Sequence, residues 1–534
     1  MATDLSLFSE LKLFANFAAG LRAYLAKPLT PEECLRRLQD GLKSRESGLL
    51  DVVRNGIYAV EDSPYRKLLA HAQITLRDIE DSVHRLGIED TLQFLLESGV
   101  YLTLDEFKGR KPIRRGNLEL TVSTRDFDNP MTIGQIESRT GGSRSTGTRI
   151  SMDLTHYEQD AIYDYISDLS FGMLDRPCAL WKPVPPFSTG LKSTMSYLKT
   201  GRRVERWFSQ NKRGVSSQAI KHYASTTLAI LASRFIGPPI PSPQHVPLRE
   251  ARRIAEWLAE NTAAGTYAYL NTNVASAVRI VLAAKDNNLD ITESFFRVGG
   301  EPLTEAKAAI IASAGCEVRS HYSMGEQGRL GIGCASPNAI DDVHILLDKI
   351  AVIQKEKILD GNNTIQANFY TSLMSTPPKL MLNVESGDYG VLERRDCGCR
   401  IGELGFALHF NSIRSYEKLT SEGMNFLGSD LLRLVEEVLP TMFGGNSLDY
   451  QLLESEVQGL PKVNLVVSPR VGSISDTAVI ATVIEFLNTC SGGKGRYGQR
   501  WSEGNTLRIL RQDPITTGAA SKVHALHVLK SSED

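Results

Sequence analysis

Residues 293 to 326 read ESFFRVGGEPLTEAKAAIIASAGCEVRSHYSMGE, and this stretch decides the fold class. It opens on a short apolar run ending at a glycine pair, the signature of a buried strand. After the turn, Pro302 and Thr304 open a helix, and Gly315 closes it. A second strand follows and leads into the polar loop HYSMGEQG, His321 to Gly328. Strand, helix and strand in about 30 residues make a βαβ unit, which builds parallel sheet. In open α/β sheets ligands bind beyond the carboxyl ends of the strands, so GGEP and SMGE are expected on one rim.

The chain around this unit has 534 residues, too many for one hydrophobic core; ordinary domain sizes suggest roughly two to four folding units. Its 42% hydrophobic and 23% charged residues are ordinary for a globular protein. A net charge of −2 offers nothing to a polyanion, which argues against nucleic acid as a partner. No apolar run approaches the roughly 20 residues that cross a bilayer. The N-terminus carries charges through its first helical stretch and shows no small-residue cleavage site, so no membrane association and a cytoplasmic location are expected. Seven cysteines, odd in number and scattered, do not form a disulfide framework. Cys34, Cys178, Cys316 and Cys490 read as core residues.

Three textures follow one another along the chain. Residues 1–117 form a helical region, with apolar positions at helical spacing in LSLFSELKLFANFAAGLRAYLA and DTLQFLLESGVYLTLDEF. Residues 118–413 mix short strands such as LELTVS with helices and with the proline-rich loops KPVPPFSTG and GPPIPSPQHVP. Residues 414–534 alternate strands of the VNLVVSP type with short helices, as a small separate α+β domain would. The fold class is therefore α/β: a large N-terminal α/β domain with a helical front end, plus a small C-terminal α+β domain.

Ser138 to Thr148, SRTGGSRSTGT, interleaves three glycines with serines and threonines. Unhindered backbone N–H groups and hydroxyls suit a polyphosphate. The same composition also suits a mobile linker. It is not the GxxxxGK[ST] loop, because no lysine follows the glycines at the required place. A second glycine-rich stretch, SGGKGR at Ser491 to Arg496, lacks that spacing too and reads as a solvated turn. Cys397 and Cys399 form a CxC, and His344 follows Cys334 by ten residues. Taken alone, such a spacing is more often incidental than metal-binding.

The order of these pieces resembles the adenylate-forming superfamily: a Gly/Ser/Thr loop, then GGEP, a Tyr-x-x-x-Glu loop, a Gly-Asp and a lysine near the C-terminus. The phenylacetate–coenzyme A ligase branch is the most similar, through GGEPLTE at Gly299 to Glu305 and through RSYEKLTSEGMNFLGSDLLRLVEEVL from Arg414. The resemblance runs from PYRKLLAHAQI, near residue 64, to the end. It implies that the large domain is the adenylate-forming one and that Thr140, Gly141, Gly142, Ser143, Ser145, Thr146 and Gly147 hold the β- and γ-phosphates of ATP. Gly299, Gly300 and Glu301 would wall the adenine pocket. Tyr322 would stack on adenine, Ser323 would lie on the α-phosphate side, and Glu326 would bind magnesium. Asp388 would accept hydrogen bonds from the ribose hydroxyls, and Arg414 would contact ribose or phosphate at the domain junction. Lys522 would reach in from the small mobile domain.

The implied activity is ATP-dependent conversion of a carboxylic acid, aryl or another small organic acid, to an acyl-adenylate with release of pyrophosphate. Transfer to a thiol would follow, with coenzyme A as the acceptor, or a carrier protein instead. A nucleotide-binding homologue that has lost catalysis is the rival. The chain departs from the family pattern in three places: Ser323, Met324 and Gly325 replace the usual order before the glutamate, NVES replaces Arg-Tyr before Gly-Asp, and Tyr416 stands where the hinge acid is usual. The branch also implies a structural zinc on Cys334, His344, Cys397 and Cys399, three thiolates and an imidazole being a usual closed tetrahedral set.

Overall fold

The computed structural model describes residues 7–139, 149–184, 189–210, 217–236, 238–360, 363–415, 420–421, 424–425, 428–457, 460–490, 507–517, 522–523 and 525–528. At its centre is a twelve-stranded sheet. In chain order its strands are β1 (Cys178–Trp181), β2 (Arg206–Ser209), β3 (Gln244–His245), β4 (Tyr269–Asn273), β5 (Phe295–Gly299), β6 (Glu317–Met324), β7 (Gly328–Gly333), β8 (Val343–Ile345), β9 (Ile350–Asp360), β10 (Asn363–Ser372), β11 (Val384–Arg394) and β12 (Leu408–Ser415). Their order across the sheet is β9-β10-β11-β12-β8-β7-β6-β5-β4-β1-β2-β3.

The sheet has two halves of different construction. From β3 to β6 every neighbouring pair is parallel. All residues of β1, β4 and β5 are buried, as expected of strands covered on both faces. From β6 to β9 every pair is antiparallel. The α/β expectation holds, and the βαβ unit stands as read. β5 leads to the helix Glu305–Ala312, capped by the Thr304 hydroxyl, which accepts from the Lys307 N–H at 3.5 Å. Gly315 then turns the chain at φ 69°, and β6 returns parallel to β5.

Two local readings need correction. LELTVS supplies only Leu118–Leu120, which pairs with Ile113–Arg115 in a separate hairpin outside the main sheet. HYSMGEQG is not simply a loop: β6 continues through Met324, and only a tight connection separates it from β7. The backbone pairing explains this, since Tyr322 faces Gly331 and Met324 faces Gly328. The register shifts between Tyr322 and Ser323, a bulge that re-aims the side chains at the strand end.

The helix Leu154–Ser170 (α1) is buried along nearly its whole length. Its Asp153 cap accepts from the His156 N–H at 3.0 Å. Four-residue spacing then puts Asp160, Asp164 and Asp168 on one face. Asp160 receives Lys349 at 3.0 Å, and Lys192 as well. Asp164 receives Arg329 at 2.6 Å and Arg297. Asp168 receives Arg202, with Arg297 at 3.7 Å. Arg297 belongs to β5, Arg329 to β7, and Lys349 precedes β9, so one helix face is tied by charge to both halves of the sheet.

The helices between Leu7 and Phe107 form the expected helical front end; those from Pro31 on share a buried cluster with α1 and the antiparallel half, while Leu7–Ala26 packs Phe17, Leu21 and Tyr24 in a cluster with Leu180 and Phe295 of the parallel half. Cys34, Cys178 and Cys316 are buried as expected; the Cys490 side chain lies outside the described ones. Toward the C-terminus a four-stranded sheet has its own core, which includes Leu434, Leu452, Leu465 and Val483. The helical segment Leu434–Val438 packed on it touches the large part through Glu436, which takes Lys307 at 2.6 Å and also the Thr304 hydroxyl.

Removing one acid from α1 strands buried guanidinium groups. Asp164→Ala is expected to lower unfolding free energy by about 3–5 kcal/mol in urea titration. A loss below about 1 kcal/mol would contradict the role given to the ladder.

Candidate nucleotide site and metal centre

The bulged end of β6 sets the geometry of the rim. His321 lies opposite Gly299 of β5. A Cβ on Gly299 would come within 2.5 Å of the His321 Nε2, so glycine is required for the imidazole to lie across the strand. Gly300 takes φ 81°, the left-handed region open to glycine, and carries the chain over the strand end. Glu301 then accepts from the Ala275 N–H at 3.2 Å, close to the start of the helix Val274–Asp286.

Tyr322 reaches across the curled antiparallel half. Its hydroxyl donates to Asp388 Oδ2 of β11 at 2.8 Å. Its ring lies 5.5 Å, edge to face, from Phe410 of β12 and 6.4 Å from Tyr370 of β10. Burial, and then the Asp388 charge, hold the Tyr322 phenol well above its usual range, so it stays a donor. One register step from Asp388, Arg414 sits opposite Tyr389 and binds Asp341 at 3.1 Å. Gly299, His321, Tyr322, Asp388 and Arg414 thus belong to one sheet, with Tyr322 reaching Asp388 across the intervening strands. A half-buried aromatic beside a carboxylate and an arginine is the combination that a nucleoside phosphate needs: a stacking face, an acceptor for hydroxyls and a cation for phosphate.

Other expected residues are placed differently. Ser323 is exposed, and its hydroxyl accepts from Arg329 Nη1 at 3.3 Å. Glu326 is buried in the connection between β6 and β7 and forms an ion pair with Lys108. Burial alone would raise the Glu326 carboxyl, but the Lys108 ammonium outweighs it and holds the group below its usual range, hence ionised. Lys108 carried no sequence signal, being one of several charges in DEFKGRK. Thr140, Gly141, Gly142, Ser143, Ser145, Thr146 and Gly147 lie outside the described residues; the strands Ile136–Arg139 and Arg149–Met152 on either side pair as a hairpin. The hinge position Tyr416 also lies outside them. Lys522 is described in its backbone, which pairs with Thr517. The adjoining Val523 packs in the same buried cluster as Val274, Ala275 and Leu303, residues that flank Glu301 in the fold.

A second group lies where β7, β8 and β12 meet. Cys334, His344, Cys397 and His409 bring one ligand atom each within 4.8 Å of one another. Cys399 joins them, its Sγ 3.1 Å from His344 Nε2, and the Cys397 Sγ is 3.8 Å from the same nitrogen. Thiolate and imidazole bound to one tetrahedral zinc stand about 3.5 Å apart, so these spacings fit. His344 Nδ1 donates to the Phe406 carbonyl at 2.6 Å, which leaves Nε2 facing the sulfurs, as an outer partner does in metal sites. His409 was not anticipated. Its Nδ1 bonds Asp342 Oδ1 at 2.9 Å, while its buried Nε2 has no hydrogen-bond partner among the described residues. A single histidine between strand residues gave no sign of this in the sequence; the cross-strand pairing of His344 with His409 creates it.

No family model matches the sequence, and no curated protein matches it. Among solved structures, 2-hydroxyisobutyryl-CoA ligase in its postadenylation state, bound to an acyl-adenylate, superposes with a TM-score of 0.51 at 15% identity over 92% of this chain and 90% of that one. The same ligase bound to an adenylate and CoA gives 0.43 at 14% identity, covering 91% and 89%. An acyl acid amido synthetase gives 0.46 at 10% identity, covering 91% and 94%; these two likenesses are too loose to carry weight. The chain has the fold of the adenylate-forming ligases. No described helix is long and apolar enough to cross a membrane.

Metal analysis of the purified protein is expected to find one zinc per chain, and Cys399→Ala to release it with a drop in melting temperature. Metal-free wild-type protein with an unchanged melting curve would contradict the site.

Proposed function

We propose that this protein activates a small carboxylic acid with ATP and passes the acyl group to a thiol. In the first half-reaction a carboxylate oxygen forms a bond to the α-phosphorus, the bond from that phosphorus to the bridging oxygen breaks, and pyrophosphate leaves with the electron pair. The observation that supports this most is the Tyr322–Asp388 contact beside Arg414, at the carboxyl edge of a sheet of this fold. Tyr322 would present its ring to adenine while its hydroxyl orients Asp388, whose remaining acceptor capacity would take the ribose hydroxyls. Arg414 would face the phosphates, with Asp341 fixing its direction.

Two anions meet in this reaction, so the site must offset charge at phosphorus. Glu326 is ionised and would hold magnesium, which when bound would neutralise phosphate charge. Lys522 would bring a second positive charge from the small domain. Its withdrawal after adenylation would free the same face for the thiol, coenzyme A in this reading or a carrier-protein arm. The glycine-rich residues 140–147 would cradle the terminal phosphates. Magnesium and ATP are thus the working cofactors, with a zinc of structural role held by the cysteine and histidine group.

The Lys108–Glu326 pair supports a second reading, in which a lysine has taken the place of the metal and the protein binds nucleotide without turnover. Acid-dependent exchange of labelled pyrophosphate into ATP separates the two. The ligase reading expects exchange with some member of a panel of aryl, fatty and hydroxy acids, and about a hundredfold slower exchange in Lys522→Ala. Tight ATP binding with no exchange on any acid, and no effect of Lys522→Ala, would leave the silent homologue. Trapping the product with coenzyme A or a phosphopantetheinylated carrier, and weighing the thioester, identifies the acceptor.

A further inference from the structure

The ion network under the rim contains more positive charge than negative. Asp160, Asp164 and Asp168 are met by Lys192, Lys349, Arg297, Arg329 and Arg202. Asp348 adds one more carboxylate near Lys349, and there burial pushes the acid up to about 6, which weakens even that contribution. Lys182 then adds a sixth cation. It follows β1 directly, at the carboxyl end of the strand, and only 9% of it is exposed. Its backbone is fixed: its N–H donates to the Phe208 carbonyl at 3.1 Å, and its carbonyl accepts from Trp207 Nε1 at 3.0 Å. Among the described residues its ammonium has no hydrogen-bond or ion-pair partner. A buried lysine of this kind is costly unless something else neutralises it.

The groups around it are short of partners as well. Burial first, and then Arg329 and Arg297, bring the Lys182 ammonium down to about 7. The charges of Arg329, Arg297, Lys182 and Lys192 reinforce burial in keeping the His321 imidazole neutral, and among the described residues its Nδ1 has no hydrogen-bond partner. Arg329, 8% exposed, has an Nε without a partner among the described residues, and Gln210, also 8% exposed, has an Nε2 that donates to the Trp181 carbonyl at 3.3 Å. Lys182 and Gln210 directly follow β1 and β2, and His321 lies opposite Gly299, the last residue of β5, on the edge where ligands of such sheets bind. Buried cations in excess, beside Arg329 Nε and His321 Nδ1 that have no partner among the described residues, suit an anion.

We propose that Lys182, with Arg329 and His321, receives a second anionic group of the substrate, so that the acid activated here carries a carboxylate at each end. This rests on the acid-activating reading above. One carboxylate would lie toward Tyr322 and Arg414 for activation, and the other would lie on Lys182, its charge balancing the network. Monocarboxylic acids of equal length would leave the buried ammonium without a counter-ion and bind less well.

Binding of glutarate and phthalate, compared with valerate and benzoate, is measured on the full-length protein by calorimetry and thermal shift without ATP. The proposal expects the diacids to bind about ten- to hundredfold more tightly. Lys182→Met should abolish the difference, Lys182→Arg should retain most of it, and neither should change ATP affinity. Lys182→Met is also expected to melt no lower than wild type, because a lysine without a partner does not stabilise the fold. Equal binding of monoacids and diacids would overturn the proposal. A Lys182→Met effect on ATP affinity instead would assign these cations to nucleotide phosphate and overturn it too. Because the assay needs no turnover, diacid preference without pyrophosphate exchange would sustain this subsite while the activating reading fell.

Discussion

The structure depends on a row of three buried aspartates. Asp160, Asp164 and Asp168 sit a helical turn apart on α1, and each is gripped by two cations, Asp160 by Lys192 and Lys349, Asp164 by Arg297 and Arg329, and Asp168 by Arg202 and Arg297. Isolated carboxylates cannot be kept in such an interior, so the helix is stable there only when β5, β7 and the segment before β9 deliver Arg297, Arg329 and Lys349 to the right levels. The ladder therefore fixes the register between the parallel and the antiparallel half. The rim lies at that junction.

From the junction the local chemistry follows. β6 pairs parallel on one side and antiparallel on the other, and its bulge after Tyr322 lets the strand end leave the plane of the sheet. Short strands β7 and β8 let the antiparallel half curl, which brings β10, β11 and β12 round to the Tyr322 ring. Neighbours four places apart in strand order thereby touch, and Tyr322 meets Asp388. The same curl stacks His344 beside His409, with ring centroids 4.1 Å apart, and closes the cysteine cluster on the other side.

Periodicity carried much of this, and charge pairing carried the rest. The helical front end, the βαβ unit around GGEPLTE and the α/β class were legible because local spacing and caps determine them. Tyr322, Asp388 and Arg414 were legible as a motif order, and the curl of one sheet brings Tyr322 to Asp388. What stayed hidden depends on contacts between distant segments. Lys108 finds Glu326 over 218 positions, His409 meets His344 only through cross-strand pairing, and Lys182 stands out only when its neighbours' charges are counted in space. The polarity of HYSMGEQG hides the extent of β6, whereas backbone pairing with GRLGIG extends the strand whatever its side chains are.

The central claim is that the edge bearing Tyr322, Asp388 and Arg414 holds a nucleoside phosphate. The most direct measurement is calorimetric titration of AMP, and of a non-hydrolysable acyl-sulfamoyl adenosine, into wild-type protein and into Asp388→Ala. Loss of hydrogen bonds from ribose hydroxyls to an ionised acceptor should weaken both ligands about tenfold or more, with the fold unchanged by circular dichroism. Equal affinity in the two proteins, or no binding in either, would contradict it.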